Sequence, residues 1–448
     1  MKDLTPRRGW VVDFREAEDY LDKAARHGIK PSLDRIRILC SKLGDPQLKF
    51  PSIHITGTNG KTSTARMISS ILEVGGRKVA RYTSPHMQSI TERICVDGRP
   101  IAEREFASLL ERIIPQVEET DRETGDPLSY FEITTAMAFV HFARRKVDVG
   151  VVEVGLGGRW DATTLVDSRV QVITGVALDH VAELGGTLEK IAWEKAGIIK
   201  DDSYVISAVA DPKALEIIGD TCEEKHSNLK LYGREFQLLY NLTYGIDTGR
   251  VGQAVGIRGL LREYPEIFVP LLGEHQAVNA ACAVASCEAY AGSLSALSAT
   301  EVEMGMRRVT SPGRLEVVSL DPLMLLDGAH NPDGASRLAH VIHNDLIYDH
   351  LILVVGILED KDIVQMLELL LPLASTIIVT QSRDERATPA RRIAAMVEEM
   401  GYDCLVMEEV SEAVKFARTL AAVSDMVCVT GSLYTVGEAR TALGLRPE

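Results

Sequence analysis

The chain has no run approaching the roughly 18 consecutive apolar residues that a membrane-spanning helix requires. Its opening residues, MKDLTPRRGWVVDFREAEDY, hold no apolar core of the kind found in secretory signals. Basic residues are in the minority, 49 Lys and Arg against 64 Asp and Glu, for a net charge of −15. A surface of that sign excludes broad binding to nucleic acid or to anionic membranes, while leaving room for a locally positive cleft around a small anion. The seven cysteines are odd in number and form no CxxC pair, which excludes a disulfide framework or a zinc ribbon. Cys282 and Cys287 are five apart on an expected helix and share no face. Reduced thiols, no leader and no membrane span predict a cytoplasmic protein. There is no internal repeat and no low-complexity tract.

What is present is ordinary for a globular enzyme: 448 residues, 46% hydrophobic and 25% charged, enough for two or three domains. Short β-branched runs alternate with longer amphipathic ones. The patterning predicts strands at Ser52–Thr56, Val147–Val154, Val170–Leu178, Leu323–Leu326, Leu351–Val355, Thr376–Thr380 and Met426–Thr430. Helices are predicted at Ser63–Val74, Glu132–Arg145, Leu188–Ala196, His275–Ala291, Asp333–Asn344 and Asp362–Leu371. Continuous apolar strands separated by helices imply an α/β fold with a mostly parallel sheet covered on both faces. The stretch Leu231–Val269, rich in Tyr, Thr and Gly, predicts short antiparallel strands forming an accessory β layer. Turn chemistry at Thr310-Ser311-Pro312-Gly313 marks a boundary. It divides the chain into a large domain, 1–308, and a second, smaller, Rossmann-like α/β domain, 309–448.

The strongest local signal is Ile53-His54-Ile55-Thr56-Gly57-Thr58-Asn59-Gly60-Lys61-Thr62-Ser63, an apolar strand, a glycine turn and a helix start in succession. Glycines let backbone N–H groups approach phosphate oxygens, and the helix N-terminus adds partial positive charge. Lys61 would meet the β- and γ-phosphates and Thr62 would offer its hydroxyl to Mg²⁺. Gly57, Thr58, Asn59, Gly60, Lys61 and Thr62 are therefore candidate nucleotide ligands. The spacing departs from the general GxxxxGK[ST] pattern, since Ile55 stands where the first glycine belongs. Glu153 closes the apolar run Val147–Val152, and Asp179-His180 closes the run that follows. Strand carboxyl ends are where open α/β sheets bind ligands, and a carboxylate there suits Mg²⁺.

The loop GTNGKT resembles that of the Mur-ligase-like family, and the likeness continues along the chain. Ser84-Pro85-His86-Met87 with Thr91-Glu92-Arg93-Ile94, Leu128-Ser129-Tyr130-Phe131-Glu132 and Glu153-Val154-Gly155-Leu156-Gly157-Gly158-Arg159-Trp160-Asp161-Ala162-Thr163 resemble segments of the folylpolyglutamate and dihydrofolate synthases. So do Leu178-Asp179-His180, Glu194-Lys195-Ala196-Gly197-Ile198, Pro312-Gly313-Arg314-Leu315-Glu316 and Asp327-Gly328-Ala329-His330-Asn331-Pro332. The resemblance implies an ATP-dependent amide ligase that adds L-glutamate to dihydropteroate or a reduced folate through an acyl phosphate. It implies Mg²⁺ on Ser84, Glu153, His180 and Thr62, and catalytic roles for Lys61, His180 and Lys195, the last carbamylated. It further implies nucleotide contacts from Asn279, Arg314 and Asp327. Acceptor contacts would come from Lys30, Pro31, Ser32, Ser129, Tyr130, Phe131, Glu132, Trp160, Asp161, Ala162 and His330. A monomer with small-molecule partners is expected. The segments LSYFE and GGRWDAT point to a folate acceptor rather than another Mur-type acceptor, and the full set of candidate residues argues for a ligase over a nucleotide switch.

Overall fold

The computed structural model describes residues 13–25, 31–244, 251–292 and 297–448. Eight strands form its first sheet: β1 (Ser52–Thr56), β2 (Val79–Tyr82), β3 (Ile94–Val96), β4 (Arg99–Pro100), β5 (Val149–Glu153), β6 (Ser168–Ile173), β7 (Tyr204–Ser207) and β8 (Asn228–Leu231). Their order is β4-β3-β2-β5-β1-β6-β7-β8, parallel from β2 to β8 with β3 and β4 antiparallel at one edge. β1 and β5 are buried throughout, which is why they read as unbroken apolar runs rather than alternating ones. On one face, helices Glu103–Thr124 and Tyr130–Arg145 build a core around Phe106, Phe139 and Phe142. On the other, helices Lys61–Val74 and Glu274–Ala291 pack with Ile53, Val151 and Val172.

The accessory layer is three antiparallel strands, β9 (Gln237–Tyr244), β10 (Gly252–Arg258) and β11 (Glu263–Val269), in the order β11-β10-β9. Its hairpin is fastened to helix Glu274–Ala291 by Glu288, which accepts from the Leu260 and Leu261 amides and from the Tyr264 hydroxyl at 3.0 Å. The second large sheet comprises β12 (Glu316–Leu320), β13 (Leu323–Asp327), β14 (Leu351–Val355), β15 (Thr376–Gln381), β16 (Leu405–Glu409) and β17 (Met426–Thr430). Its order is β12-β13-β17-β14-β15-β16, parallel except for β12.

One sequence expectation changes, and one long helix lies outside the predicted elements. The strand expected at Val170–Leu178 stops at Ile173, because the next residues turn onto the glycine loop: Thr58 N–H donates to Gly175 O at 3.0 Å, and Ala177 N–H to Thr58 Oγ1 at 3.0 Å. Helix Glu103–Thr124 went unread. Its buried Phe106, Leu110, Ile113 and Val117 follow helical spacing, and Pro115 lies on the exposed side.

The two lobes meet through side chains far apart in sequence. Gln88 donates to Thr441 Oγ1 at 3.1 Å and accepts from the buried Arg440 at 3.0 Å. Ser63 and Ser311 share a hydrogen bond of 3.0 Å. A Cβ on Gly437 would stand 2.2 Å from the Met87 carbonyl oxygen, so only glycine admits that loop.

Inside the first lobe, Gly305 lets helix Ala299–Arg307 press against helix Lys61–Val74, with Ser70 Oγ on its carbonyl at 2.7 Å. A Cβ there would fall 2.5 Å from Ile71 Cα, a backbone atom that cannot swing aside. Gly305→Ala should gain up to about 1 kcal/mol in helix propensity and lose about 1–3 kcal/mol to overpacking. A lowered urea midpoint is expected; an unchanged or raised midpoint would mean these helices separate without cost.

Candidate active site

Gly57 begins the loop at φ 152°, and a Cβ at this position would lie 1.9 Å from Thr174 Oγ1. Gly60 ends it at φ 86°, where a Cβ would lie 2.5 Å from Asn279 Oδ1. Both are places that only glycine can fill. Thr174 Oγ1 also donates to Asn59 O at 2.6 Å, so the strand end braces the loop from beneath. From the second lobe, Asp333 accepts a hydrogen bond of 2.6 Å from Asn59 Nδ2. Lys61 opens the following helix and donates to Gly57 O and Thr58 O at 2.9 and 3.1 Å.

Glu153 ends β5 and is buried. Both its oxygens lie 3.0 Å from Thr62 Oγ1, and it accepts the backbone N–H of Ser84. Burial raises its pKa, and the nearby Lys61 charge opposes that rise. A buried carboxylate beside two hydroxyl residues is a hard oxygen set, which fits Mg²⁺ completed by phosphate and water. Among the described residues no three His, Cys, Asp or Glu converge as a protein-only metal cage. His180 is solvent-exposed in a left-handed conformation, φ 49°, in the loop beyond β6.

Asp179 holds that loop. Its Oδ1 accepts the His180 N–H at 2.9 Å and faces Lys361 Nζ at 3.5 Å; its Oδ2 accepts from Asn331 Nδ2 at 2.9 Å. Burial works against ionisation, but Lys361 and these partners bring its pKa down to about 2. His330 donates Nδ1–H to Gly328 O at 2.8 Å, and burial lowers its pKa to about 4. Its Nε2, 3.8 Å from Asp179, is therefore an unprotonated neighbour at neutral pH and makes no ion pair. Asp327, at the end of β13, accepts the Leu315 and Ala329 amides at 2.8 and 2.9 Å, fixing the turn that carries Arg314. Arg314 stands between Asp327 and Glu153, whose charges both act on it. Lys195 is buried, and its side chain has no hydrogen-bond or ion-pair partner among the described residues. Burial first, and then the Lys61 charge, lower its pKa to about 7.

The acceptor-side candidates divide by environment. Ser129 and Glu132 form a capping box at the start of helix Tyr130–Arg145, and Arg35 Nε donates to Glu132 at 3.1 Å. Tyr130 has the Arg93 guanidinium 5.1 Å from its ring centre. Phe131 lies against Gly155, where a Cβ would be 2.5 Å from its ring. Asp161 commits its carboxylate to the glycine turn, accepting the Gly155 and Leu156 amides at 3.0 Å each and both the amide and hydroxyl of Thr163. Ala162 is core, Trp160 is about half exposed, and Ser32 accepts the Asp34 N–H at 3.1 Å beside an exposed Pro31. Lys30 lies outside the described residues.

The Mur ligase middle domain matches residues 55–287, and the Mur ligase glutamate ligase domain matches 313–433. A Mycobacterium tuberculosis dihydrofolate synthase/folylpolyglutamate synthase is 39% identical, covering 99% of this chain and 97% of the relative. The chain belongs to the folylpolyglutamate and dihydrofolate synthase family of Mur ligases. A structure of the Mycobacterium tuberculosis folylpolyglutamate synthase complexed with ADP superimposes with a TM-score of 0.91 at 38% identity, covering 97% of this chain and 99% of the other. An Escherichia coli FolC structure in complex with DHPP and ADP gives a TM-score of 0.84 at 29% identity, covering 98% and 99%. No described helix is long and apolar enough to cross a membrane.

For this family member the structure brings Thr62, Ser84, Glu153, Lys61, Arg314 and Asp327 together. It adds residues that sequence reasoning did not select: Thr174, Asp179, Asn331, Asp333 and Lys361. Only Asp179 and Asn331 carried a signal, as parts of quoted motifs.

Lys195 supplies a test of the site's electrostatics. Its unfolded pKa is near 10.4, so between about pH 7 and 10.4 the unfolded chain binds more protons and stability rises with pH. Below about pH 7 both states carry the cation and the folded state bears its full burial cost. Lys195→Met should therefore stabilise most at pH 6, by urea midpoint, with the gain shrinking towards pH 9. A gain independent of pH would mean that Lys195 titrates normally.

Proposed function

We propose that the chain joins L-glutamate by an amide bond to dihydropteroate, to a reduced folate (poly)glutamate, or to both, consuming ATP and releasing ADP and phosphate. The observation that carries this reading is the glycine loop itself. It is braced from below by Thr174, opposed by Glu153 through Thr62, and faced across the lobes by Arg314 and Asp327. Solved relatives bound to ADP, and to DHPP together with ADP, support a nucleotide and a second small-molecule substrate.

A carboxylate accepts an amine poorly at neutral pH. Transfer of the γ-phosphoryl group to the acceptor carboxylate makes an acyl phosphate with a good leaving group. The loop amides and Lys61 neutralise charge as that phosphoryl group moves, and Arg314 offers a planar fork to phosphate oxygens. Thr62, Glu153, Ser84 and His180 would hold Mg²⁺, which when bound supplies positive charge against the triphosphate. Glutamate's amine then attacks the acyl carbon, forming the amide and expelling phosphate. A neutral Lys195 amine is the form that reacts with carbon dioxide, in keeping with a carbamylated lysine at the metal. Tyr130, Phe131 and Trp160 offer ring faces to a flat heterocycle. Asp161 serves that pocket by shaping its wall, while Lys30, Pro31, Ser32, Ser129, Glu132, Ala162 and His330 complete the acceptor side. Asn279 and Gly57–Thr62 hold the nucleotide, and the division at 309 sets the cleft between lobes. Seven free cysteines suit the cytoplasm, where we place the protein as a monomer.

Incubation with ATP, Mg²⁺, labelled glutamate and each pterin acceptor should yield the glutamylated product by mass. Lys61→Ala should lower turnover by at least about 100-fold with an unchanged circular dichroism spectrum. Glu153→Gln should lose the Mg²⁺-dependent part of the rate. Near-wild-type turnover in Lys61→Ala, or ATP hydrolysis indifferent to glutamate and pteroate compounds, would overturn this reading.

A further inference from the structure

The loop between β6 and helix Leu188–Ala196 contains two adjacent polar residues with opposite circumstances. His180 is exposed, its imidazole has no hydrogen-bond partner among the described residues, and its left-handed backbone is a conformation that non-glycine residues seldom adopt. Asp179, one residue earlier, is largely enclosed, with its side chain 10% exposed. Its carboxylate gathers donors from both lobes. The His180 backbone N–H belongs to the first lobe; Asn331 Nδ2 and Lys361 Nζ belong to the second. Lys361 is equally enclosed, at 9% exposed, and its other acid neighbour is Asp360 at 3.2 Å. Upstream, residues 174–177 are laced to Thr58 and Asn59 of the glycine loop. Asn331 also caps helix Pro332–Asn344, and Asp333 on that helix holds Asn59.

We infer that Asp179 is a positioning residue that couples contact between the lobes to the placement of His180 beside the nucleotide loop. The argument is geometric. A single carboxylate fixes the amide of His180 on one side and the second lobe on the other. Any parting of the lobes must pull on that carboxylate or break its bonds. The His180 carbonyl in turn accepts the Glu183 and Leu184 amides at 3.1 and 2.9 Å, so a shift of the Asp179 carboxylate is passed to His180 together with the short helix Val181–Leu184. The consequence is that a residue on the second lobe, Lys361, which would hold no metal itself, governs how well the first lobe uses Mg²⁺. This inference rests on the proposed reading of His180 as a Mg²⁺ ligand.

The test measures binding rather than turnover. A non-hydrolysable ATP analogue is titrated calorimetrically into the full chain across a range of Mg²⁺ concentrations, without folate or glutamate. Asp179→Asn and Lys361→Met should each raise the Mg²⁺ concentration for half-maximal nucleotide affinity by about tenfold, within the usual range of coupling between sites. The double variant should be no worse than either single one, because both remove the same link. Lys361→Arg, which keeps the ion pair, should restore the wild-type midpoint. A merely structural effect would lower thermal stability and leave that midpoint in place. An unchanged midpoint in Lys361→Met, or multiplicative effects in the double variant, would overturn the inference while the ligase reading stands. If the wild-type chain binds no nucleotide, or binds it without regard to Mg²⁺, it is the proposed function that falls.

Discussion

The site depends on the seam between β1 and β6. At Gly57 the backbone of one strand's exit runs so close to Thr174 that no side chain fits between them. That approach ends β6 early and sends its continuation across the glycine loop instead of along the sheet. The two glycines of the loop would otherwise leave it with high conformational entropy. Here it is constrained by Thr174 below, Asn279 at its far end and Asp333 across the cleft. Ordered amides that need no rearrangement when charge develops are what phosphoryl transfer asks of a protein.

Charge around the loop is arranged so that each buried group is answered by another. Glu153 and Lys61 would each be costly to bury alone, and each offsets the other. Asp179 stays ionised because Lys361 and Asn331 come from the opposite lobe to meet it. Lys195 is the exception, a buried side chain with no hydrogen-bond or ion-pair partner among the described residues. An unanswered group of that kind inside a site of many answered ones is where further chemistry is to be expected.

Much of this was legible in the sequence, for reasons that can be named. β1, β14 and β17 were readable because buried parallel strands are unbroken apolar runs with turn residues at both ends. The accessory layer was readable from its composition, and the loop from its glycines and Lys-Thr. Helix Glu103–Thr124 was hidden by Pro115, a residue that normally argues against a helix interior and is harmless here on the solvent side. Thr174 was hidden inside an apolar run that looked like one strand. Asp333 and Lys361 gave no local signal, since their partners Asn59 and Asp179 are 274 and 182 positions away, as the numbering shows. Sequence spacing cannot report a contact made only when two lobes come together.

One buried chain of polar atoms ties the halves of the first lobe. His54 on β1 bonds Thr163 Oγ1 at 2.8 Å, and Thr163 passes its only hydroxyl proton to Asp161. The imidazole must therefore present Nε2–H, and burial keeps it neutral, with a pKa of about 3. The strand that ends in the glycine loop thus also props, through Asp161, the turn at Gly155 and Leu156, three residues before that loop begins. In the proposed reading, donor and acceptor subsites hang from a single beam, so a mutation that tilts it cannot retune one substrate's fit and spare the other's.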